Sequence, residues 1–325
     1  MRIVVVGGGG FVGQHVVEEL VRRGHEVVAV TRRAVRAAWP EGVTHRVLDA
    51  QHATDGEVAD LLVGGEGVVF AAGVDDRTLV PAPAYPVLHA ANVVPVVRLV
   101  SLGRAAGVKR VVVLGSYFTH FTRRWPELEL PERHPYIRSR VEQVRAAMEA
   151  AGSEVRVTVL ELPFIFGAAS GLRSQWVPLV AYAASRLPLV APEGGTAAVA
   201  VEQVAEAVAG GLERDGEAAG GCHPVVEENL RWGALLERLA RVTGRPRSAH
   251  RLPSGVLRAA MPPVGLVYRV KGLEPGLETA GLPSLFLREL FLDPTSCREV
   301  LGVQPRELDA ALEATVAACD VPASG

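Results

Sequence analysis

The run Val4-Val5-Val6-Gly7-Gly8-Gly9-Gly10-Phe11-Val12-Gly13 sets glycines at positions 7, 10 and 13, behind a β-branched stretch and ahead of an amphipathic one. That spacing and context suit a pyrophosphate. The first glycine permits a tight turn, the second lets the backbone approach the phosphates, and the third lets a helix close onto the preceding strand. Free N–H groups around Phe11 and Val12, with the dipole of the helix they open, favour an anion. A dinucleotide is the ligand this predicts; a flexible turn is the alternative. The end of the next strand selects between dinucleotides. A carboxylate there usually holds a ribose 2′-hydroxyl, but this chain has Val30, Thr31, Arg32 and Arg33. Arg32, with Arg33 beside it, can pair a 2′-phosphate through a charge-assisted fork. NADP is therefore expected over NAD, unless both arginines are ordinary solvated charge.

Such residues need a parallel sheet to present them, and the first half of the chain alternates short apolar runs with helical patterns. Strands are predicted at residues 3–6, 27–30, 44–48, 67–71, 110–115 and 156–160, nearly all apolar as for strands buried on both faces. Helices are predicted at 12–23, 55–62, 86–106 and 136–151. After Gly167 the alternation fails. The predicted fold is α/β: a doubly wound parallel Rossmann sheet over residues 1–167, rejoined at about 196–228, with a strand edge leading into a helix over 199–212. A smaller, mostly helical substrate lobe is expected from residues 168–195 and 229–325, built on a helix at 230–243 and on the stretch from 255 onward. Pro253, Pro262, Pro263, Pro275 and Pro283 predict irregular backbone in that lobe.

Composition narrows the partners. With 34 Lys plus Arg against 36 Asp plus Glu, the net charge of −2 excludes nucleic-acid binding driven by bulk positive charge. At 49% hydrophobic and 22% charged residues, the 325-residue chain is too apolar for disorder. The apolar stretch 176–192 is broken by Pro178, Arg186 and Pro188 and cannot span a bilayer as one helix. The N-terminal apolar run breaks at four glycines without a cleavage site, so a cytoplasmic location and no membrane partner are expected. Cys222, Cys297 and Cys319 lack metal or disulfide spacing and read as reduced packing residues, and the nine histidines lack metal spacing too.

Further segments carry a resemblance. Leu48-Asp49-Ala50, Val69-Phe70-Ala71-Ala72-Gly73, Asn92, the passage from Ala105 to Ser116, and Glu161-Leu162-Pro163-Phe164-Ile165-Phe166-Gly167 join the glycine motif. So does Val201-Glu202-Gln203-Val204-Ala205-Glu206-Ala207. Together they resemble the extended short-chain dehydrogenase/reductase family over most of the chain. The resemblance implies that Asp49 and Ala50 face adenine, that Ala71 and Ala72 line the cofactor, and that Asn92 belongs to its surroundings. It further implies that Pro163 and Ile165 lie beside a nicotinamide, and that Ser116, Tyr136 and Arg140 are catalytic, the last two also touching the cofactor. Members of that family pair a tyrosine acid/base with a lysine four residues on, because a phenol of ordinary pKa near 10 needs a cation to ionise. This chain departs from them there: Tyr136 is followed by Arg140. Arginine supplies the charge and can bond a ribose, but its planar fork is not a compact ammonium.

The function expected is an NADP-dependent oxidoreductase acting on a carbonyl or secondary alcohol of a small, moderately apolar molecule. A nucleotide-sugar epimerase or dehydratase is the first alternative, with Arg173 and Arg231 as candidate diphosphate ligands. A non-catalytic NADP-binding sensor or partner-binding protein, suggested by Arg140, is the second. His120 and His134 are candidate proton relays or packed residues, and Glu161 a structural or catalytic carboxylate. Met261, Val264, Leu266, Val267 and Tyr268 are a candidate apolar pocket lining, lobe core or oligomer contact. A homodimer through the helices at 86–106 and 136–151 is what the resemblance implies.

Overall fold

The computed structural model describes residues 1–34, 39–216 and 220–319. Residues 217–219 of the expected return to the sheet, and 320–325 at the end of the expected lobe, lie outside the described residues. Seven parallel strands form the main sheet in the order Gly221–Pro224, Arg156–Glu161, Arg110–Leu114, Gly67–Phe70, Arg2–Val6, Glu26–Thr31, Thr44–Val47. Winding reverses between Arg2–Val6 and Gly67–Phe70, so a crevice opens at their carboxyl ends. Val6 stands in register with Val30 on one side and Phe70 on the other.

Side chains alternate between the two faces. Ile3 and Val5 pack with Val16, Val17 and Leu20 of the helix Phe11–Arg22 and with Val204 and Val208 of Val201–Glu213. Val4 and Val6 pack on the opposite side with Leu62, Val96, Leu99 and Ala147. The helices there are Asp55–Leu62, Val94–Ala105 and Pro135–Ala151.

The structure corrects several expectations. Thr44–Val47 is an edge strand and mostly exposed, because no strand among the described residues pairs with its outer side. The expected helix 86–106 is two, Ala84–Asn92 and Val94–Ala105, meeting at Val93 just ahead of Pro95. Gly195–Ala200 does not join the main sheet. It pairs instead with Phe164–Phe166, Glu228–Arg231 and Glu289–Leu290 in a small mixed sheet, so the lobe is less purely helical than expected. The return to the main domain is made by the helix Val201–Glu213 and the strand Gly221–Pro224. The chain also crosses back near its end, where Cys297, Leu301 and Val303 join the core under Val204 and Val208. The expected irregular stretch contains a helix, Ser254–Val270, with Pro262 and Pro263 inside it, exposed so that water can take the carbonyls the prolines leave unbonded. Cys222, Cys297 and Cys319 form no disulfide among the described residues.

Candidate active site

The glycine run turns tightly off the first strand. Gly7 has φ of 93°, and a Cβ there would lie 2.7 Å from the Ala71 carbonyl carbon, so only glycine fits both conformation and space. A Cβ on Gly13 would collide with the Gly7 carbonyl oxygen, which is how the helix comes to sit against the turn. Gly10 precedes the helix Phe11–Arg22, whose first turn has neither a side-chain cap nor an acidic residue. Its leading N–H groups are left for an anion.

A trough runs from this turn along the carboxyl ends of the strands. One end is lined by Gly7, Gly10, Thr31, Arg32, Arg33, Asp49 and Ala50, the other by Phe11, Val12, Ser116, Tyr136, Arg140, Pro163 and Ile165. Ala71, Ala72 and Gly73 belong to both ends and make them continuous. Arg32 and Arg33 are exposed. Asp49 is turned to its own loop, accepting from Gln51 N–H at 3.0 Å and lying 3.1 Å from His52 Nδ1.

At the far end, Ser116 lies just beyond the strand Arg110–Leu114, and Tyr136 opens the helix Pro135–Ala151, its N–H donating to the Gly276 carbonyl at 2.8 Å. Both side chains are buried. One turn on, Arg140 reaches under the phenol. Its Nη1 donates to Gln143 Oε1 at 3.0 Å and to the Leu114 carbonyl at 3.4 Å, and its Nη2 to the Val74 carbonyl at 3.5 Å. Those acceptors are all neutral, and Nε has no hydrogen-bond partner among the described residues. Burial pushes the Tyr136 phenol above its ordinary value; Arg140 and Ser116 pull it back, and Asp76 pushes it further up.

Asn92 is not on the trough. Its amide accepts from Val74 N–H at 2.8 Å and donates to the Val74 carbonyl at 3.1 Å and to Ser139 Oγ at 3.3 Å. It therefore fixes the loop whose carbonyl receives Arg140. A nicotinamide dinucleotide fits this arrangement: the glycine cradle that a Cβ would fill, the bare helix end and the unpartnered Arg140 Nε are each what such a group would satisfy.

The sequence of residues 3–217 matches the NAD dependent epimerase/dehydratase family. The chain belongs to that family. Similar proteins include a 3-diazoavenalumate denitrifying reductase of a Streptomyces species, 28% identical over 280 residues that cover 81% of this chain and 86% of that one. A 2-alkyl-3-oxoalkanoate reductase of Stenotrophomonas maltophilia (strain K279a) is 35% identical over 118 residues, 34% of this chain and 32% of that one. In fold, a Thermus thermophilus UDP-glucose 4-epimerase in complex with NAD superimposes with a TM-score of 0.67 at 20% identity, covering 99% of this chain and 100% of that one.

Several lining residues of this epimerase/dehydratase chain carried no sequence signal. Asp76, Arg77, Tyr117, Gln175, Leu277 and Phe286 all face the trough. Tyr117 adjoins Ser116, and that adjacency was the available clue. Its hydroxyl lies 3.2 Å from Thr196 Oγ1, and burial raises its pKa. The other candidates do not line the trough. Glu161 is fully buried and bonded by Arg123 at 2.7 and 2.9 Å and by Thr119 at 2.5 Å; burial opposes ionisation, but these donors hold its carboxyl below the usual range. His120 lies 3.7 Å from the same carboxylate. His134 is buried and its Nδ1 accepts from Glu278 N–H at 3.0 Å. Arg173 and Arg231 do not line the trough, and Arg231 pairs with Glu289 at 2.5 Å.

Proposed function

We propose that this chain is an NADP-dependent reductase of a carbonyl-type carbon in a small, moderately apolar molecule, working reversibly on the corresponding secondary alcohol. The observation that carries the proposal is the Tyr136 phenol, buried at the end of the trough between Ser116 and the guanidinium of Arg140. A nicotinamide, when bound, supplies or accepts a hydride. The residues manage the proton and the substrate oxygen. Ser116 donates a hydrogen bond to that oxygen, polarising the carbonyl. Tyr136 delivers its proton to the same oxygen as negative charge develops there, and Arg140 stabilises the phenolate left behind. Phe118, Leu162, Phe164, Leu277 and Phe286 make the substrate end largely apolar, with Asp76, Arg77 and Gln175 as its polar contacts.

Two relatives named as reductases support this reading over an epimerase, as does the position of Arg173 and Arg231 away from the trough. Arg32 and Arg33 at the opposite end support NADP over NAD. The test is NADPH oxidation, followed by absorbance, with a panel of ketones that includes 2-alkyl-3-oxoalkanoates, together with 3-diazoavenalumate. Turnover lost in Tyr136→Phe with NADPH affinity retained is the expected result. A tightly held dinucleotide with no turnover on any compound would overturn it in favour of a closed-cycle epimerase or a sensor.

A further inference from the structure

The helix Ser254–Val270 is a surface helix whose outward side is apolar. Leu257 is buried and Ser254, Met261, Gly265 and Tyr268 are half-buried; at 3.6 residues per turn they share one face. That face rests on Leu273–Pro275 and Leu282–Phe286. The opposite face is formed by Val256, Ala259, Ala260, Pro263, Leu266, Val267 and Val270, all exposed. Val256 is 54%, Leu266 61%, Val267 52% and Val270 80% exposed, where an ordinary surface helix turns charged side chains to water. A continuous apolar strip of this kind marks a surface that is covered in use.

Charge indicates what covers it. Arg258, Arg269 and Lys271 are exposed, and the segment from Ser254 to Lys271 contains no Asp or Glu. Arg258 and Arg269 share one flank of the helix. A second copy laid antiparallel on the strip would bring Arg258 of each helix toward Arg269 of the other, like charge against like. An anionic lipid surface meets both features, since apolar side chains enter the acyl boundary while long cationic ones reach back to the headgroups. Against the expectation from the sequence of no membrane partner, we infer that the helix Ser254–Val270 docks this protein on the surface of anionic membranes, lying in the interface plane. The segment it packs on carries Leu277 and Phe286 into the trough, so docking would bring the substrate end close to a lipid surface. The docking stands whether or not the redox chemistry above is right.

Sedimentation of the full chain with vesicles of phosphatidylcholine alone, and of phosphatidylcholine with phosphatidylglycerol, tests this. Binding is expected to the mixed vesicles and to weaken as salt rises from about 0.1 M to about 1 M, because screening shortens the reach of the cations. The double variant Leu266→Asp, Val270→Asp is expected to lose about tenfold or more of that binding, while an unchanged melting curve shows that these exposed changes leave the fold intact. Absence of wild-type binding, or equal binding by the variant, overturns the inference. So does a concentration-dependent dimer in light scattering that the double variant dissolves, which would assign the strip to a second copy.

Discussion

The guanidinium carbon of Arg140 stands 5.1 Å from the centre of the Tyr136 ring, within the range at which a cation acts on both the ring and its hydroxyl. Arg140 is buried and, among the described residues, its hydrogen bonds go to neutral oxygens, while the Asp76 carboxyl acts on it through space. In the reductase proposed above, Arg140 is the cation that would act on the phenol.

Removing that charge while keeping an unbranched stem, as in Arg140→Met, is expected to raise the Tyr136 pKa. In the oxidative direction phenolate is the active form, so the pH at which the rate rises moves upward. A pH profile of kcat/KM checks this. Rescue toward the original profile by Arg140→Lys separates loss of charge from loss of packing, and an unshifted profile in the methionine variant would remove Arg140 from the proton chemistry.

Much of this was legible in residue order. Val4 to Val6, Val27 to Val30 and Val111 to Val113 announce buried parallel strands, and Gly7, Gly10 and Gly13 announce the turn at their end. What escaped depends on long-range placement. Asp76 lines the site two residues beyond Val74, which Asn92 holds by a contact between distant segments that no local pattern encodes. The return to the main sheet expected at about 196–228 begins instead with a strand of the small sheet, Gly195–Ala200, because a run of small residues fits either sheet. The helix Ser254–Val270 hid behind two prolines that solvent exposure tolerates.

Asp76 sits half-buried in the trough, and burial lifts its carboxyl above the ordinary 3.8, with Arg77 opposing. A carboxyl whose folded pKa is raised adds stability below its ordinary value and loses it as pH rises through the folded value. At neutral pH the charged form is therefore a cost. Asp76→Asn is expected to raise Tm by roughly 2 °C or more at pH 7, the gain disappearing as pH falls toward the ordinary aspartate range. A gain independent of pH would point to packing instead.

His134 has the opposite sign. Burial, with Arg133 nearby, pulls its pKa from 6.5 down to about 4. The unfolded chain therefore takes up a proton that the folded one refuses. Stability from the neutral ring is full above 6.5 and is lost as pH falls through about 4, a change of roughly 3 kcal/mol. His134→Asn keeps an acceptor for the Glu278 N–H and removes the titration. Denaturant unfolding between pH 6.5 and 4.5 is expected to show a flatter slope in the variant, whereas Glu161, held low, adds its own loss only at lower pH.

Arg32 tests the opposite end of the trough. Among the described residues no carboxylate pairs with it within ion-pair distance, and it lies beside Arg33 where a ribose 2′-phosphate would reach. Charge-assisted bonds to a phosphate that disappear together with it give a selective penalty. Arg32→Ala is expected to weaken NADPH by roughly tenfold to a hundredfold in calorimetry and to leave NADH nearly unchanged. The NADPH loss is expected to shrink at high salt, where screening already weakens the pair. Equal losses for both dinucleotides would mean that Arg32 supports the loop and not the phosphate, and would return the cofactor assignment to NAD.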